Sequence, residues 1–158
     1  MTRTRARFLA GLCLVVALVS RLLVDAYRAT GAVGPLVPWF AGVLPVALAV
    51  LLVVHGRRVR RLVNGDPTTL TPLTAARVAV LAQASSRVGA GVAGFYVGVL
   101  AVNLTGPPSP LHREQVPTSA VAAAGFVALA IAGWIVERWC RIPEDDDDRP
   151  GLADPEPA

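Results

Sequence analysis

Charged residues are scarce: they make up 16% of the 158-residue chain, while 54% of its residues are hydrophobic. Soluble domains carry about 25% charged residues, so an ordinary soluble fold is excluded and a membrane protein becomes the first hypothesis. Lysine is absent, and all fifteen basic residues are arginine. In a chain rich in Ala, Gly, Val and Pro this reads as codon bias more than selection at any one position. Only two cysteines occur, Cys13 inside the first apolar run and Cys140 just after the last. Both are expected toward one reducing side, which excludes a structural disulfide. His55 and His112 are single residues expected on opposite sides of a membrane, whereas a zinc site needs three or four ligands.

Long apolar runs are what the chain does have. About 20 helical residues cross the roughly 30 Å of hydrocarbon in a bilayer, at about 1.5 Å per residue. Four segments qualify, at residues 8–27, 37–55, 88–104 and 119–136. The third belongs to a longer helical pattern beginning at 75, whose first part carries Arg77, Gln83, Ser85, Ser86 and Arg87 and is placed at the interface. Pro and Gly separate the segments in TGAVGP, NGDPTTLTP and TGPPSPLHREQVP. Residues 1–141 therefore form one membrane domain. Residues 142–158 are acidic and proline-rich, with too little apolar surface to offset the entropy of ordering, so a disordered tail is expected.

The arginines set the expected topology, because positive charge beside span ends stays cytoplasmic. Arg3, Arg5, Arg7, Arg57, Arg58, Arg60, Arg61, Arg77, Arg138 and Arg141 fall at one end of the spans, against Arg28 and Arg113 at the other. Both termini are thus expected inside. Trp39 and Phe40 at one end of the second span, and Trp134 and Trp139 around the inner end of the fourth, match interfacial aromatic belts. A competing reading makes the first segment a cleaved signal, with Val24-Asp25-Ala26 as a loose cleavage site. Arg21 and the further apolar residues 22–24 suit a retained span better.

Gly89, Gly91 and Gly94 spell G-x-G-x-x-G, but a dinucleotide site needs a preceding strand, a turn and a helix start. This motif lies inside a continuous apolar run, and Glu114, the acidic residue at the right distance, follows a proline-rich loop. The glycines read instead as helix packing. At 100° per residue, Gly91, Gly94 and Gly98 share a face with Ala84, Arg87 and Ala101 while Gly89 points away. Small faces let membrane helices approach closely. Ala120, Ala124, Ala128 and Ala132, spaced by four, form a second seam, and the two seams are expected to meet within one chain or across a homo-oligomer.

The candidate intramembrane polar residues are Arg21, Asp25 and Arg87. Such residues are costly in hydrocarbon and mark function by default. Arg87 is expected to face protein, with Glu137 as a partner, or to snorkel as an anchor. Arg21, Asp25 and Arg28 form one stripe, in which Asp25 pairs with Arg21. Arg57, Arg58, Arg60 and Arg61 form a basic membrane-surface patch suited to anionic lipid. The acidic run 144–148 is opposite in sign and suits a basic protein partner or this patch; consecutive carboxylates do not make a calcium loop.

LTAARVAVLAQASSRVGAGVAGFYVG together with ERWCRIPEDDDD resembles the small actinobacterial integral-membrane proteins grouped as domain of unknown function 3180. The resemblance implies about four membrane helices and no assigned activity, and supplies no catalytic residues to carry over. The expected fold is all-α, a four-transmembrane-helix bundle with both termini cytoplasmic. The expected function is a non-enzymatic scaffold or accessory subunit of the cell membrane, with a small oligomeric transporter as the alternative and a membrane enzyme third. No catalytic residue, cofactor, metal or nucleic-acid partner is expected.

Overall fold

The computed structural model describes residues 6–31, 36–63, 72–106 and 110–140. Helix α1 covers Ala6–Ala29; a 3₁₀ turn at Trp39–Gly42 leads into α2 at Val43–Val63; α3 covers Pro72–Thr105 and α4 covers Pro110–Trp139. Each is long and apolar enough to cross a bilayer, and no strand occurs among the described residues. The chain is an all-α, multi-pass membrane protein. Arg3, Arg5, Arg141 and the acidic tail lie outside the described residues, as does the side chain of His112.

Local chemistry sets the helix ends. Gly31 closes α1 with a φ of 81°, a left-handed conformation that a Cβ disfavours. Its N–H donates to the Arg28 carbonyl at 2.9 Å, and the Thr30 hydroxyl donates to Tyr27 O at 2.7 Å, so orphan carbonyls of the last turn are met. Both α3 and α4 start on proline, where the missing N–H would have had no partner anyway.

Three helices run past their expected ends, α3 from Pro72, α4 from Pro110 and α2 to Val63. The prolines of SPLHREQVP read as a linker, yet Pro110 takes the first helical position and Pro117 is carried inside α4. Membrane helices tolerate such a proline because neighbouring groups re-satisfy the backbone. For α2 the reason is packing: Val59 is buried among the arginines, and a carbon added to Gly56 would lie 2.6 Å from Val136, so the α2–α4 interface continues beyond the apolar run.

The helices form a row rather than a closed bundle: α1 packs on α3, α3 on α4, and α4 on α2, with a lesser contact between α2 and α3. Small buried side chains fill the joints. Val24, Val37, Val99, Val102 and Ala122 cluster at the end where α1 finishes and α4 begins; Ala49, Leu129 and Ala132 follow; Leu52, Ala82 and Val136 lie toward the arginine-rich end. The larger apolar residues point outward, including Leu14, Leu18 and Leu22 on α1 and Leu44, Leu48 and Leu51 on α2. In hydrocarbon this surface costs nothing, and close packing of the small residues holds the joints.

Candidate functional site

Among the described residues, polar side chains of three helices meet at the end where α1 finishes and α4 begins. Arg28 of α1 donates through a guanidinium nitrogen to Asn103 Oδ1 of α3 at 2.7 Å. Asn103 Nδ2 donates in turn to the Ser119 hydroxyl of α4 at 3.5 Å. One turn earlier on α4, Gln115 Oε1 accepts the Val37 N–H at 2.9 Å, tying the segment before the 3₁₀ turn to the same place. Asn103 and Ser119 are buried, so the relay joins three helices through groups that water does not reach. Buried polar groups must be bonded to each other to be tolerated, and these are. Chemically this is a donor and acceptor chain with a guanidinium at its rim; it contains no nucleophile and base pair.

Sequence reasoning placed Arg28 in a stripe with Arg21 and Asp25 and missed its bond to α3. The stripe divides: Arg21 Nε and Asp25 Oδ2 stand 3.9 Å apart, with both side chains about half exposed, while Arg28 turns to Asn103. Asn103, Ser119 and Gln115 drew no attention in the sequence because each is an isolated polar residue at a span end. The available signal was that all three lie within reach of the same end as Arg28.

Arg87 is exposed on α3, and Glu137 is buried on α4. The helices explain this: Gly94 lies against the Cys13 carbonyl on parallel α1, and seven residues earlier on each helix are Arg87 and Ala6, where the described part of α1 begins. Arg87 therefore sits on the face that α1 covers, at the level where that cover starts.

The seams also differ from expectation. Gly94 and Gly98 pack against α1, not α4: a carbon added at Gly98 would stand 2.7 Å from Ala17 O and 3.0 Å from the Arg21 nitrogen. Gly91 shares their phase but has nothing within 4 Å of such a carbon, so it is no packing residue here. Gly89, expected to point away, lies on α4, 2.8 Å from the Ala130 nitrogen by the same measure. On α4 itself, Ala124 and Ala128 are exposed, Ala120 is half-buried, and Ala132 packs with Ala49 and Leu129 at the α2 joint. A strict four-residue repeat drifts by about 40° per step around a helix, which carries the expected alanines out of the joint. The residues that stay in phase are Ser119, Ala122, Phe126, Leu129, Gly133 and Val136, spaced alternately by three and four. A carbon at Gly133 would meet Ala82 O and the Ser86 nitrogen at 2.7 Å, and Phe126 stacks on Tyr96 with centroids 5.6 Å apart.

A family model described as Protein of unknown function (DUF3180) matches residues 9–144. The chain belongs to this family. None of the curated proteins or solved structures matches it significantly. The DUF3180 match spans all four helices and therefore the polar relay, both glycine joints and the basic patch.

At the arginine-rich end of this DUF3180 chain, Arg57, Arg58, Arg60 and Arg61 are exposed on the last turns of α2, with Arg60 5.5 Å from the Trp139 ring centroid. Arg138 stacks on Trp134 at 4.9 Å. His55 Nδ1 lies 2.8 Å from Leu51 O and so carries the proton of that contact. Cys13 and Cys140 are free thiols, and burial pushes the Cys140 thiol above its ordinary pKa. Among the described residues no three His, Cys, Asp or Glu side chains gather in a metal-sized group.

Proposed function

We propose that this DUF3180 protein is a non-enzymatic scaffold or accessory subunit of the cell membrane, with both termini in the cytoplasm. The observation that carries the reading is the way the helices meet. Gly42 with Gly125, Gly89 with Ala130, Gly133 with Ser86, and Gly98 with Ala17 bring backbones into direct contact at each joint of the row. Backbone contact of this kind makes a rigid platform and leaves little width between helices for a solute path. The outward faces are then available to lipid or to a partner subunit, and the acidic run 144–148 supplies a cytoplasmic docking segment for a basic partner. The orientation follows from the arginines beside the span ends.

Crosslinking and affinity capture from native membranes, with and without residues 142–158, tests this reading. Reproducible partner proteins that depend on the tail are expected; the same partners without the tail would remove its docking role, and a chain captured with none would remove the scaffold reading.

A second reading, a small oligomeric transporter, draws on the exposed Arg21 and Asp25 pair of edge helix α1, which a neighbouring copy would enclose. Such an assembly predicts a multimer in mild detergent and solute flux in proteoliposomes, where the scaffold reading predicts no flux.

A further inference from the structure

Helices α1 and α4 both lean on α3 without closing on each other. Between them is an open groove of about 450 Å³, within the roughly 300–1,000 Å³ range of small-molecule sites. Its floor is Ala90 and Ala93 of α3; Ala10 and Cys13 form one wall, Ala130 and Trp134 the other. The small floor residues are buried, so the groove is part of the packed joint rather than a gap between loose side chains. An apolar slot that opens sideways within a membrane takes hydrocarbon, and its mouth decides which molecule supplies that hydrocarbon.

Three arginines neighbour the lining residues along their helices. Arg7 follows groove residue Ala6, Arg87 precedes Ala90 by three residues, and Arg138 follows Trp134 by four, so each lies within about one helical turn of the lining. All three are exposed. The guanidinium of Arg138 lies 4.9 Å over the ring of Trp134, which fixes one positive charge to the groove wall itself. Arg7 and Arg87 stand at the same level, because Ala6 and Arg87 are each seven residues below the Cys13 and Gly94 contact. Guanidinium groups bind phosphate oxygens through paired N–H donors. An apolar slot with one guanidinium on its wall and two more arginines beside its lower end matches a molecule with a hydrocarbon chain and a net negative phosphate head.

We infer that the groove holds one acyl chain of an anionic phospholipid, whose phosphate is bound by Arg7, Arg87 and Arg138. This site is separate from the Arg57 to Arg61 patch, which offers charge without a slot. It does not rest on the scaffold reading, and a flux or capture result leaves it untouched.

The test uses the full chain carrying Trp39→Phe and Trp139→Phe, which leaves Trp134 as the reporter, in phosphatidylcholine nanodiscs. Small mole fractions of brominated phosphatidylglycerol or brominated phosphatidylcholine are added, and quenching of Trp134 is read. Quenching by the phosphatidylglycerol at several-fold lower mole fraction is expected. Arg7→Gln with Arg87→Gln should reduce that preference by about fivefold per arginine, from about 1 kcal/mol each. Ala10→Phe, on the exposed rim of the groove, should weaken quenching by both lipids. Equal quenching by the two lipids in the parent chain would overturn the inference, leaving ordinary boundary lipid. Absent quenching together with a dimer that Ala10→Phe dissociates would overturn it in favour of a second copy of the chain.

Discussion

Arg28 and Asn103 meet across the joint between α1 and α3, guanidinium nitrogen to amide oxygen at 2.7 Å, and this bond pins the far end of a helix that packs on α3 alone and leaves its other faces exposed. Hydrogen bonds between membrane helices average about 0.6 kcal/mol and reach about 1.7. Asn103→Leu should cost the upper part of that range, because it removes the acceptor of Arg28 and the donor to Ser119 together. Thermal unfolding in mild detergent measures the loss, and Asn103→Asp should recover the Arg28 arm while Asn103→Leu does not.

Gly98 and Gly91 share a helix face but not a role. Gly98→Val drives a side chain into the backbone of α1, and overpacking of this kind costs about 1–3 kcal/mol. Gly91→Val meets open space and should stay within about 0.5 kcal/mol of the parent. Protease sensitivity of α1 separates the two, and equal behaviour would show that the α1 joint does not depend on close approach.

On α4 the same contrast holds between Gly133 and Ala128. Gly133→Ile should disrupt the α3–α4 joint, with loss of monodisperse protein on size exclusion, because the added atoms meet Ala82 O and Ser86. Ala128→Ile faces outward and should leave elution and melting unchanged.

The helices were legible in the sequence because about 20 apolar residues have no other stable state in a bilayer. Their contacts were less so. Regular spacing by four drew the eye to Ala120, Ala124, Ala128 and Ala132, whereas the alternation of three and four through Ser119, Ala122, Phe126, Leu129, Gly133 and Val136 is the pattern that keeps phase with a helix. The glycine face was visible, but sequence alone does not say which neighbour it meets, and α1 took it. Arg28 with Asn103 escaped because their numbers lie 75 apart and nothing local links them.

Cys140 supplies a pH-dependent readout. Burial disfavours its thiolate, so with Cys13→Ser in place its alkylation rate should stay below that of a free cysteine, whose pKa is about 8.5, and rise only at higher pH. The sign for stability follows: a raised folded pKa means the contribution is full below the unfolded pKa and is lost as pH rises through the folded one. Alkylation rates across pH 7–10, before and after unfolding in detergent, check this; a folded profile equal to the unfolded one would contradict it.

The row order α1, α3, α4, α2 has a consequence for biosynthesis. The chain emerges in sequence order, so α1 enters the bilayer before the α3 face it leans on exists, and α2 likewise enters before α4. The first two helices must persist as separate lipid-solvated rods. Assembly then has two stages: α1 gains its neighbour when α3 enters, and α2 gains its own only when the last helix inserts between α3 and α2.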